Sequence, residues 1–328
     1  MKSKALGLLL VLVSCAGSYA KDCDFNGQKN FLSRVVAIDP KGENPADGKG
    51  EESNGPLLKL GAKEIVLTFD GGPHASYTKN VLDILDHHCV KATFFFTGSA
   101  AWRNPAAVRD VVLRGHTIAA TAWTAGADFD SLSFEAAKIE IGKGLTAVAR
   151  AANAPAAPFV RLHAKNPAPD LLSYLKDEGL GQWPIDVAAG DDAPGLTATK
   201  LANAAIARVE AAGKGVVQFH DTSRATVDAL DSILLNLKLA GYKVVHAVPA
   251  ASFTPKDEYL AELSKAAAPS PAPSRASHAM VEAARRGARG GDNGEERVQR
   301  PRRRSERQSS TEDRGPRDSR ARRELAAP

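Results

Sequence analysis

The sequence lacks a long apolar run after its first twenty residues. No later segment approaches the roughly 18 uninterrupted apolar residues that a membrane-spanning helix requires, which argues against a transmembrane body. The dinucleotide fingerprint G-x-G-x-x-G is also missing from the turns after Asp70 and Thr97. An excess of positive charge is missing from most of the chain, because the net charge is +5 and Arg275–Pro328 alone, with 15 arginines, no lysine and 9 acidic residues, carries +6. The net charge of the preceding residues is −1, so electrostatics do not favour binding of nucleic acid to the body of the chain.

Cysteine is scarce, with three in the whole sequence. Cys15 lies in a predicted signal peptide, so the mature chain would keep Cys23 and Cys89. In an oxidising compartment these two can form a disulfide that fixes the N-terminal segment to the helix ending near His88. Two free buried thiols are the alternative, because the sequence does not give the distance between them.

The first twenty residues have the pattern of a signal peptide. A basic start precedes an apolar run from Ala5 to Val13, and Ser18–Ala20 is a small-residue cleavage site. The chain is therefore predicted to be exported to the periplasm or the extracellular space. An alternative interpretation of Leu12–Cys15 is a bacterial lipobox, which would leave Cys15 lipidated at the mature N terminus.

The middle of the chain alternates between short β-branched runs and segments with helical spacing, which predicts seven strands and six helices. The predicted strands are Glu64–Phe69, Lys91–Thr97, His116–Thr121, Phe159–Leu162, Gln182–Val187, Gly215–His220 and Tyr242–Val248. The predicted helices are Tyr77–His88, Asn104–Leu113, Ser133–Arg150, Pro169–Glu178, Thr197–Ala212 and Thr226–Leu239. Such alternation implies parallel strands with helices outside. The expected fold is α/β, a distorted seven-stranded (β/α) barrel in preference to an open doubly wound sheet.

Composition divides the remaining chain. Residues 21–60 are rich in Pro, Gly and polar residues and are predicted to form a loop-like arm over a domain of residues 61–250. Residues 251–274 are predicted to be a linker that ends in an Ala-Pro-Ser segment. Residues 275–328 contain no aromatic residue and almost no large aliphatic one, so they are predicted to be a disordered Arg-rich tail. The alternatives are an arm that binds acidic cell-surface polymer or nucleic acid, and an extension with no selected role.

Charged residues end several of the predicted strands. The C-terminal ends of parallel barrel strands converge on one face, so side chains at those positions should meet. His116 instead begins its strand and is expected at the opposite face. An Asp, an Arg, a second Asp and a His at one mouth would suit acid–base hydrolysis. The strand-end residues are Asp70, Thr97, Thr121, Arg161, Asp186 and His220.

Five short motifs occur in order between residues 60 and 248. They are Thr68–Pro73, Lys91–Phe95, Gly115–Ile118, Phe159–Arg161 and Phe219–Asp221. In sequence and spacing they resemble the successive motifs of polysaccharide deacetylases with the NodB homology domain, carbohydrate esterase family 4. The resemblance implies a distorted (β/α) barrel that removes N- or O-acetyl groups from extracellular polysaccharides such as chitin-like or peptidoglycan chains.

The resemblance also implies roles for individual residues. Asp70 matches the general base that takes a proton from the attacking water, and His220 matches the general acid that protonates the leaving amine. Arg161 matches the arginine that orients the base. Asp186 matches the acid of the fourth motif, which tunes His220, and Asp191 is the candidate for the acid of the Asp-Trp pair expected shortly afterwards.

The family holds zinc or another divalent metal with one Asp and two His, and this sequence departs from that pattern at every ligand. The corresponding positions are Gly71, Thr121 and Ala125. Glycine and alanine have no side-chain donor, and a neutral hydroxyl is a weak ligand. His74 with Asp191 is the best substitute pair that the sequence offers. A bound metal lowers the pKa of water to about 7, and its loss would cost several kcal/mol of transition-state stabilisation. The rate would then fall on the order of a thousandfold or more.

Three functional hypotheses result. The first is an exported deacetylase that acts on acetylated polysaccharide or oligosaccharide with impaired activity. The second is a carbohydrate-binding pseudoenzyme on the same barrel. The third, with less support, is a barrel that anchors the Arg-rich tail to an acidic envelope polymer.

Overall fold

The described part of the chain is organised around one nine-stranded sheet in which every strand pair is parallel. The structure is a computed structural model that describes residues 31–40 and 58–265. Strand β2 is its hub, since it pairs with β3, β8 and β9. The strands are β1 (Leu32–Ile38), β2 (Glu64–Asp70), β3 (Thr93–Phe96), β4 (Thr117–Ala120), β5 (Phe159–Val160), β6 (Gly181–Gln182), β7 (Val187–Ala188), β8 (Gly215–His220) and β9 (Lys243–Pro249).

Helices separate most of these strands along the sequence. The strands β7, β8, β2, β3, β4, β5 and β6 follow one another by pairing. This is the predicted α/β architecture, a distorted (β/α) barrel. The helices are α1 (Tyr77–His87), α2 (Gly98–Arg103), α3 (Pro105–Leu113), α4 (Phe134–Ala152), α5 (Pro169–Asp177), α6 (Ala198–Ala212), α7 (Arg224–Leu239) and α8 (Asp257–Lys265).

The side chains of β2 alternate between two cores. Leu67 is buried in a large cluster that includes apolar residues of the helices. Val66 belongs to a second cluster, drawn from strands and their flanking loops, which also contains Val216 of β8. Successive side chains of a strand point to opposite faces, so Thr68 and Asp70 lie on the same face as Val66. The apolar alternation of β2 therefore directs its terminal carboxylate into the barrel.

Four elements differ from the sequence prediction. The arm contains β1, an edge strand whose mostly exposed side chains hide the usual apolar alternation. The predicted strand Gln182–Val187 is two short strands, β6 and β7, because Pro184 between them has no N–H for a ladder. Helix α2 was not predicted. Helix α8 lies in the predicted linker, where Tyr259 and Leu263 are buried.

The turn after α1 carries Cys89, which has a left-handed φ of 54° and is disulfide-bonded. Its predicted partner, Cys23, lies outside the described residues. The predicted signal peptide with Cys15 and the predicted tail of residues 275–328 also lie outside them. None of the helices in residues 31–40 and 58–265 has the length and hydropathy of a membrane span.

Candidate active site at the barrel mouth

Asp70 and Arg161 form a buried ion pair at the ends of two strands. Asp70 is the last residue of β2, and Arg161 directly follows β5. Arg161 Nη1 donates to Asp70 Oδ1 at 2.6 Å, and neither side chain is more than 1% exposed. The structure thus brings together two residues that the strand-end argument placed at one mouth.

Gln218 is the residue at this site that the motifs missed. Its Nε2 donates to Asp70 Oδ2 at 2.6 Å, while Thr68 Oγ1 accepts from Arg161 Nη1 at 2.8 Å. Both oxygens of Asp70 therefore have a donor, and Asp70 has no exposed surface. The missed signal is an amide in an apolar strand two residues before His220, since residues at i and i+2 share a face.

The guanidinium of Arg161 is held from several directions. It lies 4.2 Å from the centroid of the Phe95 ring, and its Nη2 donates to the carbonyl oxygen of Pro184 at 3.1 Å. Burial lowers the pKa of Arg161, and the charge and hydrogen bond of Asp70 oppose that shift. A buried ion pair costs desolvation energy, and removal of one partner leaves an uncompensated charge.

His220 ends β8 and faces a different acid, Asp191. The His220 Nδ1 lies 2.8 Å from Asp191 Oδ1, and the backbone N–H of His220 donates to Asp191 Oδ2 at 2.6 Å. Burial would lower the pKa of His220, but the hydrogen bond and charge of Asp191 outweigh it, so that this pKa is raised. The pKa of Asp191 is lowered because its bonds to His220 outweigh its own burial. With 25% of its side chain exposed, His220 is within reach of a ligand.

Asp186 does not contact His220, and the structure corrects that assignment. It directly precedes β7, so it lies at the N-terminal edge of a strand rather than at the mouth. Its Oδ2 accepts from the backbone N–H of Val216 at 2.7 Å. Val216 precedes His220 by four residues on β8, about 13 Å along an extended strand. The error arose because one strand was predicted where Pro184 separates two. Asp191 contacts the imidazole instead.

Asp221 links the turns after β2 and β8. Its Oδ1 accepts from the backbone N–H of Gly72 at 3.0 Å, and its Oδ2 accepts from Thr78 Oγ1 at 2.5 Å. Burial, assisted by the charge of Asp70, raises the pKa of Asp221 to about 7, against the opposing effect of these bonds. A Cβ at Gly72 would lie 2.1 Å from this carboxylate, so the close approach requires glycine.

Two further histidines lie at or near the mouth. Burial lowers the pKa of His163. The charge of Asp70 opposes this shift, and the charge of His220 reinforces it. His74 stacks on Tyr77 at 4.1 Å between ring centroids, and its Nδ1 accepts from the backbone N–H groups of residues 76 and 77. His74 and Asp191 each have other partners, so the structure does not support them as a substitute ligand pair.

The mouth does not fit the metal that the family resemblance implies. Gly71 has a φ of 86°, and a Cβ there would lie 3.9 Å from the His220 ring, so this position borders His220 but supplies no donor. Thr121 is 2% exposed, and Ala125 is an exposed loop residue. Within the described ranges, no group of three His, Cys, Asp or Glu donors gathers at this mouth. His116 lies at the opposite barrel end, as predicted, where its Nδ1 accepts from the Ala92 N–H.

The comparisons with known proteins agree with this fold. Residues 58–179 match the family model described as polysaccharide deacetylase. The peptidoglycan-N-acetylglucosamine deacetylase PgdA of Listeria monocytogenes is 30% identical over 191 residues, which are 56% of this chain and 38% of that protein. The structure of the Bdellovibrio bacteriovorus peptidoglycan deacetylase Bd3279 has a TM-score of 0.58 and 28% identity, over 69% of this chain and 62% of that one. Over residues 58–179 the chain is therefore similar to polysaccharide deacetylases, and its fold is similar to that of a peptidoglycan deacetylase.

One structural neighbour is described as a pseudoenzyme. BA3943 of Bacillus anthracis, a carbohydrate esterase family 4 pseudoenzyme, has a TM-score of 0.51 and 22% identity, over 58% of this chain and 65% of that one. At that identity the likeness concerns the fold alone. This chain spans less than half the length of the Listeria relative and under two thirds of the Bdellovibrio structure.

Proposed function

We propose that this protein recognises N-acetylated glycan at the barrel mouth and turns it over poorly or not at all. The observation that carries this proposal is the state of Asp70, which has no exposed surface and donors on both oxygens. A general base must come within hydrogen-bond reach of the water that it deprotonates. Asp70 is instead committed to Arg161 and Gln218.

The donor side of the mouth supports glycan binding. His220 is partly exposed, and Asp191 raises its pKa, so it can donate to a carbonyl or hydroxyl oxygen of a sugar. His74 and Tyr77 form a stacked aromatic pair on the loop that follows β2. Aromatic faces offer apolar area to the C–H face of a sugar ring. The relatives' names point to peptidoglycan-type glycans containing N-acetylglucosamine.

A paired measurement of binding and acetate release tests this function. The full chain is titrated with N-acetylglucosamine oligomers by calorimetry, and the same mixtures are assayed for released acetate. Binding that is weakened at least tenfold in His220→Ala, without acetate release, is the expected result. Absence of binding would contradict the proposal, as would acetate release at the rate of a metal-loaded family member.

The second candidate is a slow, metal-independent deacetylase, which the intact contact between His220 and Asp191 favours. In that reaction a water oxygen bonds to the acetyl carbon while Asp70 takes the proton that the water gives up, the C–N bond breaks, and His220 supplies the proton to the leaving amine. Slow acetate release that His220→Ala and Asp70→Asn both abolish would establish this candidate over pure binding.

The cell envelope is the proposed place of action. Support comes from the disulfide-bonded Cys89, since disulfides persist mainly in oxidising compartments, and from relatives named for peptidoglycan. Fractionation of the tagged full chain should find it outside the cytoplasm. Lipid labelling that depends on Cys15 would show the lipobox alternative to be correct.

A further inference from the structure

A cluster of metal-ligating side chains lies away from the mouth, between α1 and α7. Each of His87, His88 and Asp231 offers one ligand atom, and these three atoms lie within 4.8 Å of one another. It is the one group of three or more His, Cys, Asp or Glu donors within that distance in residues 31–40 and 58–265. We propose that this cluster binds a divalent transition metal such as zinc.

The donor set suits borderline metals. Two imidazoles and a carboxylate are ligands that zinc, nickel and copper accept, whereas calcium and magnesium prefer sites made entirely of oxygen. Tetrahedral zinc with bonds of about 2.0–2.1 Å requires ligand atoms roughly 3.3 Å apart. His88 Nε2 and Asp231 Oδ1 are already 2.9 Å apart. The exposed His87 ring then needs only a side-chain adjustment to complete three ligands.

The surroundings favour a cation and leave it room. His87 is the last residue of α1, and the C-terminal end of a helix carries partial negative charge. Among the charges near His88, that of Asp231 is negative and that of Lys238 is positive. The Asp231 side chain is 62% exposed, which leaves coordination positions open to water.

The location gives the metal a structural consequence. Helix α1 follows β2, which ends at Asp70, and α7 follows β8, which ends at His220. A metal shared by His87 and Asp231 would cross-link the two helices behind the strands that carry the mouth. A ligand that binds only the folded chain raises its melting temperature by mass action.

The test is calorimetric titration of the chelator-treated full chain with zinc chloride. The expected result is one zinc per chain, with affinity reduced at least tenfold in His87→Ala and in Asp231→Asn. Both positions are exposed, so these variants should fold. Asp228→Asn is the matched control, because it removes an exposed acid of the same helix that pairs with Arg224 outside the cluster. Its zinc affinity should match that of the unaltered chain.

A thermal readout accompanies the titration. Zinc should raise the melting temperature of the unaltered chain and of Asp228→Asn, but not that of His87→Ala. Absence of zinc binding would overturn the proposal, as would equal affinity in His87→Ala and Asp231→Asn. Zinc binding that disappears in His220→Ala instead would place the metal at the mouth. That result would overturn this proposal and is distinguishable from failure of glycan binding.

Discussion

The two sides of the mouth differ in how their charges meet solvent. On the β2 side, Asp70 is fully buried and pairs with Arg161 at 2.6 Å. On the β8 side, His220 keeps a quarter of its side chain exposed and pairs with Asp191 at 2.8 Å. The first pair resembles a structural ion pair, whereas the second can still exchange a proton with a ligand.

Under the proposed function, this difference is what the loss of a metal site would leave behind. A carboxylate that no longer works beside a metal can persist as the partner of a buried arginine, because either charge alone would be costly in the barrel. The imidazole of His220 is not held in place by such an energetic cost, and it remains accessible to solvent. Retention of Asp70 and Arg161 in the sequence is therefore weak support for catalysis, and the exposure of each group is the stronger criterion.

The largest expected effect comes from restoring the missing ligands in the triple variant Gly71→Asp, Thr121→His and Ala125→His. If these are the family's ligand positions, zinc should bind at the mouth with a dissociation constant on the order of 1 μM or tighter. That constant corresponds to a binding free energy of about −8 kcal/mol. Calorimetry in a His87→Ala background separates this site from the α1–α7 cluster. The left-handed φ of 86° at residue 71 is tolerated better by Asp than by most residues.

The single variant Gly71→Asp in the same background is the control, and it should bind zinc at least tenfold more weakly than the triple variant. A folded triple variant, judged by circular dichroism, that gains no zinc affinity would show that these positions do not converge as ligands. The assignment of Gly71, Thr121 and Ala125 from the motif spacing would then be wrong.

Removal of the buried arginine should destabilise the fold. Arg161→Met leaves the Asp70 carboxylate buried without its cation, and the free energy of unfolding should fall by about 3–5 kcal/mol. Urea denaturation measures this. The double variant Asp70→Asn with Arg161→Met should recover part of the loss, because it removes both charges. A loss below about 1 kcal/mol in Arg161→Met would contradict a structural role for the pair.

The raised pKa of Asp221 should make the fold less stable as the pH rises, which is opposite to ordinary acid denaturation. Its folded pKa of about 7 exceeds that of an unfolded aspartate, so between about pH 4 and pH 7 the folded chain holds a proton that the unfolded chain has released. Its contribution to stability is fully present below pH 4 and is lost as the pH rises through 7. The unaltered chain should therefore lose a few kcal/mol relative to Asp221→Asn between pH 5 and pH 8.

The measurement is chemical denaturation of both proteins across that range. The difference between the two proteins isolates Asp221, because His116 and His246 titrate equally in both. Burial lowers the pKa values of both histidines, so their contributions to the stability of the fold are lost as the pH falls. This pH dependence is opposite to that of Asp221. Parallel stability curves for the two proteins would show that Asp221 is ionised throughout.

The sequence alone could predict most of the barrel because its strands are short, apolar and separated by helices with recognisable ends. The elements that escaped prediction lack those signals. Strand β1 is an exposed edge strand among Gly and Pro residues, and α8 buries only Tyr259 and Leu263. Local pattern says little about an element whose stability depends on pairing or packing with residues distant in sequence.

The site shows the same limit. Positions at strand ends predicted that Asp70 and Arg161 would meet, because the termini of parallel strands converge. The same reasoning misplaced Asp186, since a two-residue strand has no apolar run to mark where it starts. Gln218 could have been found from its period-two relation to His220. Solvent access to Asp70 depends on side-chain packing that no motif encodes.

The smallest expected effect decides which acid tunes His220, and it compares two Asp-to-Asn variants. Asp191→Asn removes the charge that contacts the imidazole, so the pKa of His220 should fall. Asp186→Asn is the matched control, since its carboxylate contacts the backbone of Val216 at the other end of β8. The pKa of His220 is measured in each variant by NMR titration of its ring protons. An equal or larger fall in Asp186→Asn would restore Asp186 to the role that the motif gave it, and would undo the contrast between a closed β2 side and a responsive β8 side.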